Sequence, residues 1–151
     1  MKRVLVIGGG ASGMMAAIQA AVRGAQVTIY EKNDRVGKKI LATGNGKCNL
    51  SNTDMDLSNY YCADYNKLAD CFARFSTEDT VSFFENNGLM LKNKDGYLYP
   101  YCEQASAVLD ILRTALKKYN VNVFNGVTDI DLSVKKNGKF SSQHISENKR
   151  M

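Results

Sequence analysis

A short apolar run that ends in three consecutive glycines constrains this 151-residue chain more than any other feature. Val4-Leu5-Val6-Ile7 passes directly into Gly8-Gly9-Gly10-Ala11-Ser12-Gly13, which reads G-x-G-x-x-G. An alanine-rich apolar stretch follows, then a second apolar run, Val27-Thr28-Ile29-Tyr30, closing on Glu31, 18 positions beyond Gly13. Alone, the glycine pattern is a weak signal. Preceded by a strand, opening a helix and followed at that distance by a carboxylate, it predicts the βαβ unit of a dinucleotide-binding fold. Gly8 permits the tight turn off the strand, Gly10 lets the backbone approach a pyrophosphate, and Gly13 lets the helix pack closely on the sheet. The helix start offers free N–H groups and a positive dipole end to phosphates. Glu31 can accept hydrogen bonds from a ribose 2′-OH, and its charge disfavours a 2′-phosphate. The competing reading is a glycine-rich turn with no ligand.

Periodicity extends the prediction along the chain. Residues 3 to 7 read as a buried parallel strand, 11 to 23 as a helix closed by Gly24, and 26 to 31 as the second strand. From Lys32 to Asn59 the pattern breaks down and a long loop is expected. Two helices follow near 65 to 75 and 77 to 87, the second capped by Ser76 with Asp79 at its third position and stopped by Gly88. Leu89 to Leu91 and Tyr97 to Tyr99 flank Asn93-Lys94-Asp95-Gly96, a hairpin signal. Ala105, Val108, Leu109, Leu112 and Leu116 form a helical stripe within 104–119. Val121 to Phe124 is a third strand, and Thr128 to Val134 opens a strand pair turning at Lys136-Asn137-Gly138. After Phe140 the pattern stops in a polar tail, Ser141 to Met151.

The expected fold class is α/β, a Rossmann-like domain entering a β-meander. Its segments are 1–31 (βαβ unit), 32–59 (second glycine-rich loop), 60–120 (helices and hairpin), 121–140 (third strand and meander start) and 141–151 (tail). No apolar run approaches the roughly 20 residues of a membrane span, and the apolar start is too short for a signal peptide. A cytoplasmic, membrane-free protein is expected. Cys48, Cys62, Cys71 and Cys102 form no C-x-x-C pair or zinc spacing, so free thiols and no metal site are expected. The net charge of +5 is concentrated at the end: from Val134 onward five cations face one anion, leaving the rest at +1. Without interleaved aromatics that tail does not make a nucleic-acid site, so no nucleic-acid partner is expected.

Lys32 to Asn52 reads KNDRVGKKILATGNGKCNLSN, with Arg35, Lys38, Lys39 and Lys47 set around glycines 37, 44 and 46. Cations on flexible backbone favour an anion, and the loop could close over the same diphosphate. A solvated basic loop is the equal alternative. The order of residues is more specific than the composition. Arg35, Gly37 and Lys39, then Thr43-Gly44-Asn45-Gly46-Lys47-Cys48-Asn49 and Asn52, with Gly96-Tyr97-Leu98-Tyr99-Pro100 downstream, resemble the BaiN/RdsA-type family of NAD(P)/FAD-dependent oxidoreductases. Members of this family are also called aminoacetone oxidase family FAD-binding enzymes. The resemblance covers roughly residues 2 to 135. Asn45 stands where the family usually has a glycine, and asparagine tolerates the left-handed backbone such a turn needs.

The resemblance implies a glutathione-reductase-like FAD domain, with FAD as cofactor and NAD(P)H as electron donor of the intact protein. It places Gly8, Gly10, Ala11, Ser12, Gly13, Glu31, Lys32, Arg35, Gly37, Lys39, Thr43, Gly44, Gly46, Cys48 and Asn49 along the cofactor, with the Val127 backbone at the adenine. A packing or backbone-positioning role is favoured for Cys48, which has no nearby cysteine partner. His144, the one histidine, receives no role, and the catalytic residues stay unassigned. Family members are much longer and carry a substrate-side domain and a late segment completing the flavin site. An N-terminal fragment, inactive alone, is therefore expected, its intact form acting on a small organic substrate in an oligomeric state left open. The other readings are a non-catalytic dinucleotide-binding module and an inert truncated product.

Overall fold

The computed structural model describes residues 1–134 and 140–146. The turn expected at Lys136-Asn137-Gly138 and the tail beyond Ser146 lie outside the described residues. The chain divides into two compact units, residues 1–38 with 112–151 and residues 39–111.

The first unit holds a parallel sheet in the order β1-β2-β6, built from Arg3–Ile7, Gln26–Glu31 and Asn122–Asn125. Alternation explains which face is covered: Val27, Ile29 and Glu31 of β2 are buried while Gln26 is exposed. Helix α1, Ala11–Val22, packs on β1 and β2. Its Met14, Ala17 and Ile18 are fully buried, and burial of each large side chain contributes roughly 1.5–3 kcal/mol. The helix stops one residue before the expected end. Gly24, at φ +81°, donates its N–H to the Ala21 carbonyl at 2.9 Å and turns the chain toward β2. Strands β7 (Val127–Val134) and β8 (Phe140–Ser146) form an antiparallel pair. Backbone pairing thus carries strand structure through Ser146, into the segment whose polar composition predicted the end of the pattern.

The second unit contains an antiparallel sheet in the order β3-β5-β4. Its strands are β3 (Ser51–Asn52), β4 (Leu91–Lys94) and β5 (Tyr97–Pro100). The hairpin forms at the expected turn, where Asp95 (φ +54°) and Gly96 (φ +88°) supply the paired left-handed residues of a tight connection. It is shifted along the chain, with Leu89 and Met90 outside β4. Helices α2 (Tyr65–Arg74) and α3 (Thr77–Asn86) are capped by Asp64 and Ser76. The Asp79 N–H donates to Ser76 Oγ at 3.2 Å and the Ser76 N–H to Asp79 Oδ2 at 2.7 Å, the reciprocal box the sequence predicts. The expected loop over 32–59 is not featureless. It contains 3₁₀ turns over Lys38–Gly46 and Leu57–Asn59 and the short β3. Helix α4, Ala105–Lys118, begins in this unit, where Ala105, Val108 and Leu109 are buried; its buried Leu112, Ala115 and Leu116 belong to the first unit.

Candidate functional site

The first glycine loop is built from contacts that pin each residue. The Gly8 N–H donates to the Tyr30 carbonyl at 2.7 Å, extending the β1–β2 pairing, and Gly8 then turns at φ +96°. Gly10 is the N-cap of α1 and has no side chain to cap it, and the first turn carries no acidic residue. The first intrahelical bond runs from the Met14 N–H to the Gly10 carbonyl at 2.9 Å. The N–H groups at the start of α1 therefore have no partner within the helix itself. A Cβ on Gly10 would meet nothing within 4 Å, whereas one on Gly13 would stand 2.0 Å from the Gly8 carbonyl oxygen. Gly13 is demanded by packing and Gly10 is not. Ala11 and Ser12 are exposed at the helix start.

Glu31 is the one buried charged residue among the described residues, at 6% exposure. Its carboxylate accepts from the Gly9 N–H at 2.6 Å, the Asn33 N–H at 2.8 Å and the Asn33 side-chain amide at 2.5 Å. Burial pushes its pKa up, but the bonds from Asn33 and Gly9, helped by the Lys32 charge, outweigh it and hold the carboxyl below its ordinary 4.5. The Asn33 carbonyl accepts from the Gly126 N–H at 2.9 Å, immediately before buried Val127.

The turn after β2 braces the loop from the other side. The Gly37 N–H donates to the Gly9 carbonyl at 2.7 Å, and the Arg113 guanidinium of α4 donates to the Val36 carbonyl at 2.8 Å. The motif leaves its second position free, yet here a Cβ on Gly9 would come within 2.4 Å of Val36 Cγ1. Gly9, Asn33, Val36 and Arg113 were not singled out by sequence. Only Gly9 carried a signal, as the third glycine of a consecutive run. Lys32 and Arg35 are exposed on this turn, and Gly37 is buried.

The second block lies in the second unit and is described by itself. Thr43 Oγ1 donates to the Ile40 carbonyl at 2.6 Å, and the Cys48 N–H donates to the Thr43 carbonyl at 3.1 Å, closing the loop. Between them Gly44 (φ +54°), Asn45 (φ +53°) and Gly46 (φ +80°) are all left-handed, so Asn45 does adopt left-handed backbone. A Cβ on Gly44 would be 2.8 Å from the Asn49 backbone nitrogen. Cys48 is buried and left-handed, while Lys39, Thr43, Gly44, Gly46 and Asn49 are exposed. An open depression of about 270 Å³ is lined by Lys47, Lys94, Asp95, Tyr97, Tyr99 and Glu103. Glu103 bridges Lys47, at 2.6 Å, and Lys92. Hydrogen bonds from both ammonium groups and their charges depress its pKa to about 2.

The chain belongs to the HI0933-like protein Rossmann domain family, whose model matches residues 2–151. It is 45% identical over 129 residues to a 3-dehydro-bile acid delta(4,6)-reductase of Clostridium scindens, covering 84% of this chain and 32% of that protein. It is 28% identical to a ribosomal RNA dihydrouridine synthase of Haemophilus influenzae, covering 79% of this chain and 30% of the relative. The chain thus spans about a third of the length of the curated relatives it matches. Among solved structures, the 3-ketosteroid-delta4-(5alpha)-dehydrogenase of Rhodococcus jostii RHA1 shares the fold. It has a TM-score of 0.60 at 16% identity, over 93% of this chain and 44% of that one. The fold is that of a Rossmann domain, as the family's description has it, and the solved structure shares it. Among the described residues no helix is long and apolar enough to cross a membrane.

Proposed function

We propose that this chain holds FAD on its βαβ unit, within an enzyme that reduces a carbon–carbon double bond conjugated to a carbonyl. One observation carries the cofactor reading. Helix α1 opens without a side-chain cap at Gly10, with free space where a Cβ would stand, beyond the carboxyl end of β1. Such a terminus suits a diphosphate: backbone N–H groups of Ala11, Ser12 and Gly13 are its donors, and the dipole favours negative charge. Glu31 is the acceptor for the adenosine ribose, and the Val127 backbone borders the adenine. Lys32, Arg35 and Gly37, with Lys39, Thr43, Gly44, Gly46, Cys48 and Asn49 of the second block, are assigned to the same cofactor from the family resemblance.

FAD supplies hydride transfer, and the protein supplies binding, orientation and electrostatics. NAD(P)H is the proposed donor. The two curated relatives guide the substrate class, since their names describe similar chemistry. A 3-oxo bile acid with 4,6 unsaturation and the uridine ring both carry a C=C bond conjugated with a carbonyl. The higher identity to the bile acid enzyme favours a small apolar enone over RNA here. The four free cysteines suit work in the cytoplasm.

The test is a fluorescence titration of FAD into the purified protein, followed, in the whole enzyme that contains it, by anaerobic NADH or NADPH and then substrate. Binding, then bleaching, then saturation of a 3-oxo-diene steroid but not of uridine in RNA is the expected sequence. Absence of FAD binding overturns the reading. Binding without bleaching favours the non-catalytic module, and reduction of RNA uridine replaces the substrate class.

A further inference from the structure

Asn33 joins two places that the reading above puts at the adenosine end of the cofactor. Its backbone N–H and side-chain amide both donate to Glu31 Oε1, at 2.8 and 2.5 Å. Its carbonyl accepts from the Gly126 N–H at 2.9 Å, fixing the turn (Gly126 φ +72°) that leads from β6 into β7 at Val127. One half-buried residue therefore sets both the carboxylate at the end of β2 and the start of β7.

We propose that Asn33 is a positioning residue for the adenosine moiety, orienting the Glu31 carboxylate toward the ribose through its side-chain amide and holding the Val127 turn through its carbonyl. The inference rests on the FAD reading. A carboxylate offers roughly four acceptor directions. Gly9 takes one on Oε2 and Asn33 takes two on Oε1, which fixes the plane of the group and leaves its remaining direction for a ribose hydroxyl. The arrangement requires a donor at position 33, because a second acceptor there would face Oε1 directly. Lys32 is the charged neighbour whose field reaches Glu31, while Asp34 on the same turn is paired with Lys38. From the β6–β7 side the contact to Asn33 is made by the Gly126 backbone.

The probe is ADP, which carries the adenosine end without flavin, measured by calorimetry across a pH series, with FAD measured in parallel. Asn33→Asp keeps the shape and sets two carboxylates against each other. One of them then takes up a proton more readily. The expected result is an ADP affinity about tenfold weaker than that of wild type near pH 8 that largely recovers, relative to wild type at the same pH, near pH 5. A loss independent of pH marks a merely structural role and overturns the proposal, as does unchanged affinity. If Asn33→Asp does not fold, Asn33→Ala decides: it introduces no charge, and ADP affinity equal to wild type overturns the proposal. Wild-type protein that binds neither ADP nor FAD overturns the cofactor reading itself. Wild-type binding with an indifferent Asn33 overturns only this inference.

Discussion

Val36 closes over Gly9 so tightly that a Cβ added to the glycine would lie 2.4 Å from Val36 Cγ1 and 3.2 Å from Glu31 Oε2. Gly9 is buried and its N–H and carbonyl are both engaged, so the loop cannot shift to make room. Gly9→Ala is therefore expected to destabilise the fold by about 1–3 kcal/mol through overpacking. Because the obstacle is one side chain, adding Val36→Ala should restore part of the loss. Urea unfolding of the two single variants and the double variant reads the coupling directly, and simple additivity would refute the contact.

Gly10 and Gly13 separate folding from binding. Gly13→Ala forces a methyl against the Gly8 carbonyl, so the turn and α1 must part, and a clear fall in thermal midpoint is expected. Gly10 has an ordinary negative φ of −73° and open space at its Cβ position. Gly10→Ala should leave stability within about 0.5 kcal/mol of wild type, as for unconstrained positions, yet weaken FAD binding because the methyl projects where the diphosphate is proposed to lie. Equal FAD affinity in wild type and Gly10→Ala would move the phosphate site elsewhere.

Glu31 gives the fold an acid limb. Its folded pKa lies below the ordinary 4.5, so its contribution is fully present above about pH 4.5 and is lost as pH falls through the folded value. Glu31→Gln removes that titration and should flatten the stability profile below pH 4.5. Glu31→Ala leaves the Gly9 and Asn33 donors without their acceptor, costing about 1–3 kcal/mol at neutral pH. Chemical denaturation at a series of pH values distinguishes the two variants.

The Lys47–Glu103–Lys92 bridge is exposed enough to respond to salt. Glu103 should titrate at about 2 in dilute buffer, shifting toward its ordinary value when Lys47 is replaced by alanine or when salt screens the pair. Any stability it lends is present above 4.5 and disappears as pH falls toward 2. Carbon-detected NMR of the Glu103 carboxyl checks the direction.

How much of this was legible follows the range of the interactions. The βαβ unit could be read because its strands, its turn glycines and the covering helix are adjacent in sequence and each obeys its own period. The Ser76 box and the Asp95-Gly96 turn were equally local. What escaped depends on distant partners. Arg113 meets the Val36 carbonyl across 77 residues, and no periodicity around either residue announces it. Ser51–Asn52 is a strand only because β5 pairs with it, and β8 exists through its ladder to β7 despite a polar sequence. Glu31 could be read as an acceptor for a ribose, but its satisfaction within the protein could not. Two of its donors are the Gly9 and Asn33 backbone N–H groups, which carry no residue-type signal, and nothing marked the Asn33 side-chain amide that is the third.

The second block offers a test of local backbone chemistry at Asn45. Three consecutive left-handed residues, Gly44, Asn45 and Gly46, turn the chain between the Thr43 carbonyl and the Cys48 N–H that donates to it. Left-handed backbone costs most residues roughly 1–2 kcal/mol, and asparagine less. Asn45 is exposed, so its side chain adds little packing and the backbone term dominates. Asn45→Gly should thus be tolerated with almost no change in stability, the gain in conformational ease being offset by a freer unfolded chain. Asn45→Val should destabilise by about 1–2 kcal/mol, because a β-branched residue is poorly suited to positive φ. Gly44→Ala should be worse than either, since its Cβ would press on the Asn49 nitrogen at 2.8 Å as well as strain the backbone. Denaturant midpoints in the order Asn45→Gly, then Asn45→Val, then Gly44→Ala are expected, and a wild-type midpoint for Asn45→Val would show that the turn relaxes out of the left-handed region.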